Sequence, residues 1–224
     1  MESFLRHAVK ILRQGGIIVY PTETAYGLGC DATNRRAAAR LFKIKGRDKG
    51  KPLPLIVADR KMAERYAKMT PLALRLASTY WPGALTLVLK KQGNKETKKQ
   101  GGLAFGVTHR GTVAMRVSAH PVAHALVKGL GRPMVATSAN RSGEPACYSV
   151  GEVMESLFNC HSEAKPKNLA RMRVRPHTWE ILRYAQDDAI GLIDAGRIPK
   201  RKPSTIADAT GEIPKILRQG AIKL

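Results

Sequence analysis

The run Gly15-Gly16-Ile17-Ile18-Val19-Tyr20-Pro21-Thr22-Glu23-Thr24-Ala25-Tyr26-Gly27-Leu28-Gly29-Cys30 decides how this chain of 224 residues is read. Adjacent glycines do not sustain a helix, because glycine loses the most backbone freedom on ordering. They end the helix that Phe4, Leu5, Ala8, Val9, Ile11 and Leu12 mark at helical spacing over residues 3–13. Ile17 to Tyr20 then read as a buried strand. Working outward, Ala37, Ala38, Leu41 and Phe42 share one face of a helix over 34–45, with Thr33 or Asn34 as its cap. Strands are expected at 53–58, 84–89, 112–117 and 134–137. Helices are expected over 61–80, broken at Thr70-Pro71 and closed by Trp81-Pro82-Gly83, and over 121–128. This alternation predicts an α/β fold with one domain over 1–224: a single twisted sheet of mixed parallel and antiparallel strands with helices on its faces. Two stretches interrupt it. Residues 90–102 read as a mobile lysine-rich loop. Residues 160–188, basic in their first half, are expected to be a flexible insertion at the surface.

Composition narrows the function. With 43% hydrophobic and 25% charged residues the chain lies outside the disordered, collagen-like and coiled-coil classes. Thirty-nine Lys and Arg against seventeen Asp and Glu leave a net charge of +22, which points to a polyanionic partner. The first apolar cluster is too short for a signal segment or a membrane span, so the expectation is a cytoplasmic protein without a membrane partner. Cys30, Cys147 and Cys160 are far apart and form no Cys-x-x-Cys pair, so neither a disulfide framework nor a zinc site is expected.

Several motifs carry a chemical and a bland reading side by side. Gly27-x-Gly29-x-x-Ala32 imitates a dinucleotide fingerprint, but six residues separate it from the strand and the following region is cationic, so glycines that permit a tight turn are the better reading. Gly46-x-x-x-Gly50-Lys51-Pro52 is one residue short of a P-loop and lacks its hydroxyl residue. His120 and His124 have metal-ligand spacing without a third ligand, so capping or solvent-facing roles are expected and no metal site is assigned. Lys43, Lys45, Arg47, Lys49 and Lys51 either wrap phosphates from an extended segment or complement the end of a helix, and composition leaves both open. Thr137-Ser138-Ala139-Asn140-Arg141-Ser142-Gly143 follows a strand, where open α/β sheets bind ligands, or is an ordinary polar turn. Arg116, alone in an apolar strand, faces solvent or awaits a carboxylate.

In register along the chain, Pro21 to Cys30, Lys45-Gly46-Arg47, Trp81-Pro82-Gly83-Ala84-Leu85-Thr86, Val113 to Val117, Ser138-Ala139-Asn140, Pro203 to Asp208 and Leu217 to Ile222 resemble the YrdC-like family. The resemblance covers residues 3–159 and 190–222, and it is nearest to the short bacterial members. It implies a nucleotidyltransferase that joins L-threonine, bicarbonate and ATP into threonylcarbamoyl-adenylate and pyrophosphate, on the way to N6-threonylcarbamoyladenosine in tRNA. It implies Lys45, Arg47 and Lys51 on the ATP phosphates, the first two catalytic, with Thr112, Ser138, Asn140 and Arg218 completing the nucleotide site. Thr24, Arg116, the Ala136 backbone and Ser204 would hold threonine, with Thr22 and Tyr26 lining the pocket and Mg²⁺ accompanying ATP. A histidine of longer relatives is Ile56 here. Partners implied are tRNA and the threonylcarbamoyl transferase machinery downstream. The chemistry needs no protein nucleophile: the amine of threonine captures the carboxyl unit and the resulting carbamate attacks the α-phosphorus. The alternative is a non-catalytic module of the same fold that binds double-stranded RNA or tRNA through its phosphates.

Overall fold

The computed structural model describes residues 2–48, 50, 52–92, 102–104, 106–158, 181–184 and 190–224. Chain order is α1 (Glu2–Arg13), β1 (Ile17–Pro21), β2 (Tyr26–Gly29), α2 (Arg35–Lys45), β3 (Leu55–Ile56), α3 (Arg60–Tyr66), β4 (Ala67–Lys68), α4 (Pro71–Tyr80), β5 (Leu85–Lys91), β6 (Thr112–Arg116), α5 (Pro121–Leu130), β7 (Met134–Val135), β8 (Thr137–Ser138), α6 (Val150–Phe158), β9 (Ile181–Tyr184), β10 (Ile190–Ile193), β11 (Thr205–Asp208) and β12 (Lys215–Arg218). The fold is mixed α/β with strands of both directions, as the alternation required. The strands form two sheets rather than one. One has the order β8-β2-β1-β10-β9, the other β12-β11-β5-β6-β3-β7 with β4 beside β5. Two features divide them: the break at Ala136 between β7 and β8, and the reduction of the expected 53–58 strand to two residues. A bridge between Asp31 and Met134 still stitches the sheets together.

Local chemistry fixes the helices. Asn34 caps α2, its Oδ1 accepting from Ala37 N at 3.0 Å, and Gly46 ends that helix at φ 58°, where a side chain would be strained. Thr70 caps α4 and His120 caps α5, each followed by proline at the first helical position. Ile17, Ile18, Val19 and Tyr20 are fully buried, and each such side chain contributes roughly 1.5–3 kcal/mol to the core. Gly27 and Gly29 lie inside β2 rather than in a strand-to-helix turn. A Cβ on Gly29 would stand 2.9 Å from the Tyr20 ring and 2.7 Å from Val135 O. Close packing, not cofactor binding or turn geometry, explains that glycine pair. Gly46, likewise, closes a helix where a P-loop would open one.

Of the expected insertion at 160–188, only 181–184 is described, and it forms the edge strand β9, antiparallel to β10. Lys90 and Lys91 continue β5 beyond the expected strand. Residues 93–101 of the expected lysine-rich loop, 159–180 and 185–189, together with Lys49 and Lys51, fall outside the described residues.

Candidate active site

One row of residues crosses the larger sheet. Arg218 of β12 is level with Ile206 of β11, which is level with Thr86 of β5. Leu87 faces Met115, so Thr86 and Arg116 are the next positions outward on β5 and β6. Arg116 is level with Ile56 of β3, and Ile56 with Met134 of β7. Residues in one row share a face, so Arg218, Thr86 and Arg116 project from the same side. Ser204, two residues before Ile206, joins them: its Oγ lies 3.0 Å from Thr86 Oγ1 and accepts from Arg218 Nη2 at 3.1 Å. Arg218 also donates from Nη2 (2.7 Å) and Nε (3.1 Å) to Ser204 O. Burial and then the positive charge of Arg116 push the Arg218 guanidinium below its ordinary range.

The smaller sheet supplies the facing wall through the turn between β1 and β2. Thr22 Oγ1 accepts from the backbone N–H groups of Thr24 and Ala25, both at 3.2 Å, and donates to Ala25 O at 2.7 Å, which fixes the turn. Glu23 at its tip reaches across to the other sheet. Arg116 Nη1 donates to Glu23 Oε1 at 2.6 Å and Ser118 Oγ to Glu23 Oε2 at 2.5 Å. Arg116 and Glu23 side chains are only 10% and 13% exposed, so the ion pair is poorly screened. Thr24 Oγ1 lies beside Thr22 Oγ1. Tyr26 is fully buried, and its hydroxyl donates to Gly196 O and accepts from Ala195 N, both at 2.8 Å. It latches the segment after β10.

The third group lies along β2 and β8, where Ser138 pairs with Gly27 and Ala139 N donates to Tyr26 O. Lys45, the last residue of α2, is buried beneath this loop. Its Nζ donates to Ser138 O (2.6 Å), Asn140 O (2.8 Å) and Asn140 Oδ1 (3.1 Å), so all three ammonium hydrogens are engaged. Burial, followed by the charge of Arg47, lowers the Lys45 pKa to about 8. Arg47 is half-buried; its Nη2 donates to Pro52 O at 3.2 Å, and burial lowers its pKa too.

Through these contacts Thr22, Thr24, Glu23, Arg116, Ser204 and Arg218 are gathered where the turn after β1 meets the larger sheet. The turn at 22–26 links that cluster to Lys45, Ser138 and Asn140. Ala136 donates its N–H to Pro54 O, which leaves its carbonyl as the atom it can offer. Thr112 is set apart. It lies four residues from Arg116, roughly 13 Å along β6, and bonds to His109 O. Ile56 is buried and apolar. Sequence reasoning missed Glu23 and Ser118: a glutamate in a turn carries no local sign of a partner 93 residues away. Among the described residues no three His, Cys, Asp or Glu converge as a metal site, and no helix is long and apolar enough to cross a membrane.

Cations, one carboxylate and hydroxyls gathered at the ends of two α/β sheets suit a small charged ligand. The family model Sua5_yciO_yrdC, described as "Telomere recombination", matches residues 10–162. The chain belongs to this Sua5/YciO/YrdC family. Threonylcarbamoyl-AMP synthase of Halorhodospira halophila is 43% identical over 152 residues, 66% of this chain and 75% of that protein. The synthase of Thiobacillus denitrificans is 37% identical over 210 residues, 90% of this chain and 89% of that one. The crystal structure of Pyrococcus abyssi Sua5 complexed with L-threonine superposes with a TM-score of 0.74 at 33% identity, covering 98% of this chain. The chain spans 55% of that longer relative.

Proposed function

We propose that this protein is a threonylcarbamoyl-AMP synthase, a nucleotidyltransferase that condenses L-threonine, bicarbonate and ATP and releases pyrophosphate. The observation that carries the reading is the gathering of Arg116, Arg218 and Ser204 with the Thr22–Tyr26 turn and the Lys45-bound Ser138–Asn140 loop. Arg116 offers a planar fork to the α-carboxylate of threonine, with Thr24, Ser204 and the Ala136 carbonyl around the rest of the amino acid. Arg47 and Arg218 take the triphosphate, with Asn140 and Ser138 at the nucleotide, and Lys51 joins them by its place in the motif. Lys45 acts differently from a direct phosphate ligand. Its three hydrogens hold the Ser138–Asn140 loop, so it positions that loop and lends its charge through a water-poor interior. Thr112 is assigned to the nucleotide only by its motif.

Catalysis then rests on juxtaposition and fixed charge. Once its ammonium has lost a proton, the amine of threonine attacks the carbon of bicarbonate with loss of water, and an oxygen of the resulting carbamate displaces pyrophosphate from the α-phosphorus in line while Arg47 and Arg218 stabilise the charge on the phosphates. Mg²⁺ fits as a passenger of the triphosphate, since the carboxylate described here, Glu23, is already paired with Arg116 and Mg²⁺ commonly rests on substrate phosphates and water. In this reading the adenylate feeds the machinery that modifies tRNA, and the protein works in the cytoplasm. On the sequence pattern, the chain is one domain with an insertion over 160–188; apart from 181–184, which form β9, it is dispensable for turnover, and loss of turnover on deletion of 160–180 would contradict this. Pyrophosphate release tests the whole reading: it should require threonine and bicarbonate together with ATP. Salt-dependent RNA binding without such release would instead identify the RNA-binding module.

A further inference from the structure

The site contains a carboxylate of its own in an awkward place. Glu23 is bound to the very guanidinium proposed to receive the α-carboxylate of the substrate, at 2.6 Å and largely out of water. For a ligand that is only an anion this arrangement is counterproductive, because the Arg116–Glu23 pair sums to no net charge and Glu23 repels a second carboxylate at short range. It becomes favourable for a ligand that carries an ammonium next to its carboxylate. Glu23 uses one edge of the guanidinium, through Nη1, and no described residue bonds Nε or Nη2 of Arg116. The rest of the fork therefore remains for a substrate oxygen. Glu23 itself accepts one bond on each oxygen, from Arg116 and Ser118, and a carboxylate can accept about four. Ser118 Oγ is tied in turn to His120 N at 3.2 Å, and the Thr22 turn holds the Glu23 backbone, so the carboxylate is oriented from both sides.

We infer that Glu23 and Arg116 form a clamp for a zwitterion, in which Arg116 takes the α-carboxylate of the amino acid and Glu23 its α-ammonium. The inference rests on the synthase reading and adds to it the residue that selects an α-amino acid over a plain hydroxy acid. Ser118 is a positioning residue for Glu23.

The test is calorimetric titration of wild type and Glu23→Gln with L-threonine and with 3-hydroxybutanoate, which lacks the amino group, with folding followed by circular dichroism. Wild type is expected to bind threonine at least tenfold more tightly than 3-hydroxybutanoate. Glu23→Gln is expected to lose at least tenfold in threonine affinity while 3-hydroxybutanoate binds as well as before or better. Equal weakening of both ligands would show that Glu23 only organises Arg116, and unchanged threonine affinity would show that it does nothing; either overturns the clamp and leaves the synthase reading standing. Should the variant fail to fold, the wild-type comparison decides alone, and equal affinity for the two ligands overturns the clamp. A wild type that binds no threonine overturns the synthase reading and the clamp with it.

Discussion

Arg116 and the pair Lys45 and Arg218, cations of the proposed site, are held in opposite ways. Arg116 lies against a carboxylate, Glu23, whereas Lys45 and Arg218 donate only to carbonyl, amide and hydroxyl oxygens. The first region is electrically compensated and the second is not. A compensated pair has little pull on an anion but matches an amino acid, which carries both charges. Cations resting on neutral oxygens keep their field, and a triphosphate gains most from it. The cost of the uncompensated arrangement is visible in the lowered pKa of Lys45 and the depressed guanidinium of Arg218.

The largest effect should come from breaking the compensated region. Arg116→Ala leaves Glu23 buried with only Ser118, which should raise the threonine KM by about a hundredfold or more and destabilise the fold by roughly 3 kcal/mol. Arg47→Ala, in the other region, should raise the ATP KM and leave that for threonine nearly unchanged. Steady-state kinetics and thermal melting check both, and an exchange of the two phenotypes would reverse the comparison. Next comes pH. Lys45 carries its charge below about 8 and loses it above. Accordingly kcat/KM for ATP should fall as pH rises through about 8. Stability should move the other way. The folded pKa lies below the ordinary lysine value of roughly 10.4, so the unfolded chain binds more protons between the two and stability increases across that window. A melting temperature that falls together with kcat/KM would assign the pH effect to unfolding.

Smaller effects mark the scaffold. Tyr26→Phe removes the hydroxyl that bonds Gly196 O and Ala195 N, and should cost roughly 1–2 kcal/mol in chemical denaturation with a modest loss of turnover. Asn34→Ala removes only the cap of α2 and should cost about 1 kcal/mol with substrate KM values unchanged. A large kinetic effect from Asn34→Ala would mean that α2 transmits strain to Lys45.

What could be read in the sequence was what is local. Gly15-Gly16 ended α1, Ile17 to Tyr20 began β1, Asn34 capped α2, and the prolines at 71 and 121 opened α4 and α5 as their fixed φ dictates. Register and long-range pairing were hidden. β2 escaped notice because Gly27 and Gly29 weaken a strand signal, and their reason for being there is the ring of Tyr20 on the neighbouring strand. Strands β11 and β12 appeared only as a motif, since Ile216 and Leu217 are exposed and break the expected alternation. The division into two sheets depends on a two-residue β3 that no propensity distinguishes from a longer strand. At the site, the motif order brought Arg116 and Arg218 forward as candidates, but only coordinates set Glu23 beside one and Ser204 beside the other. Lys45 looked like an exposed member of a cationic run, and its burial under Asn140 reflects how α2 meets the loop after β8.

Mass spectrometry of the purified protein incubated with L-threonine, bicarbonate and ATP puts the shared-site claim to its most direct test. Threonylcarbamoyl-adenylate should appear only when all three are present and, at substrate concentrations near the wild-type KM values, should be strongly reduced in Arg116→Ala and in Arg47→Ala alike. A folded, ATP-binding protein that forms none of it would contradict the account.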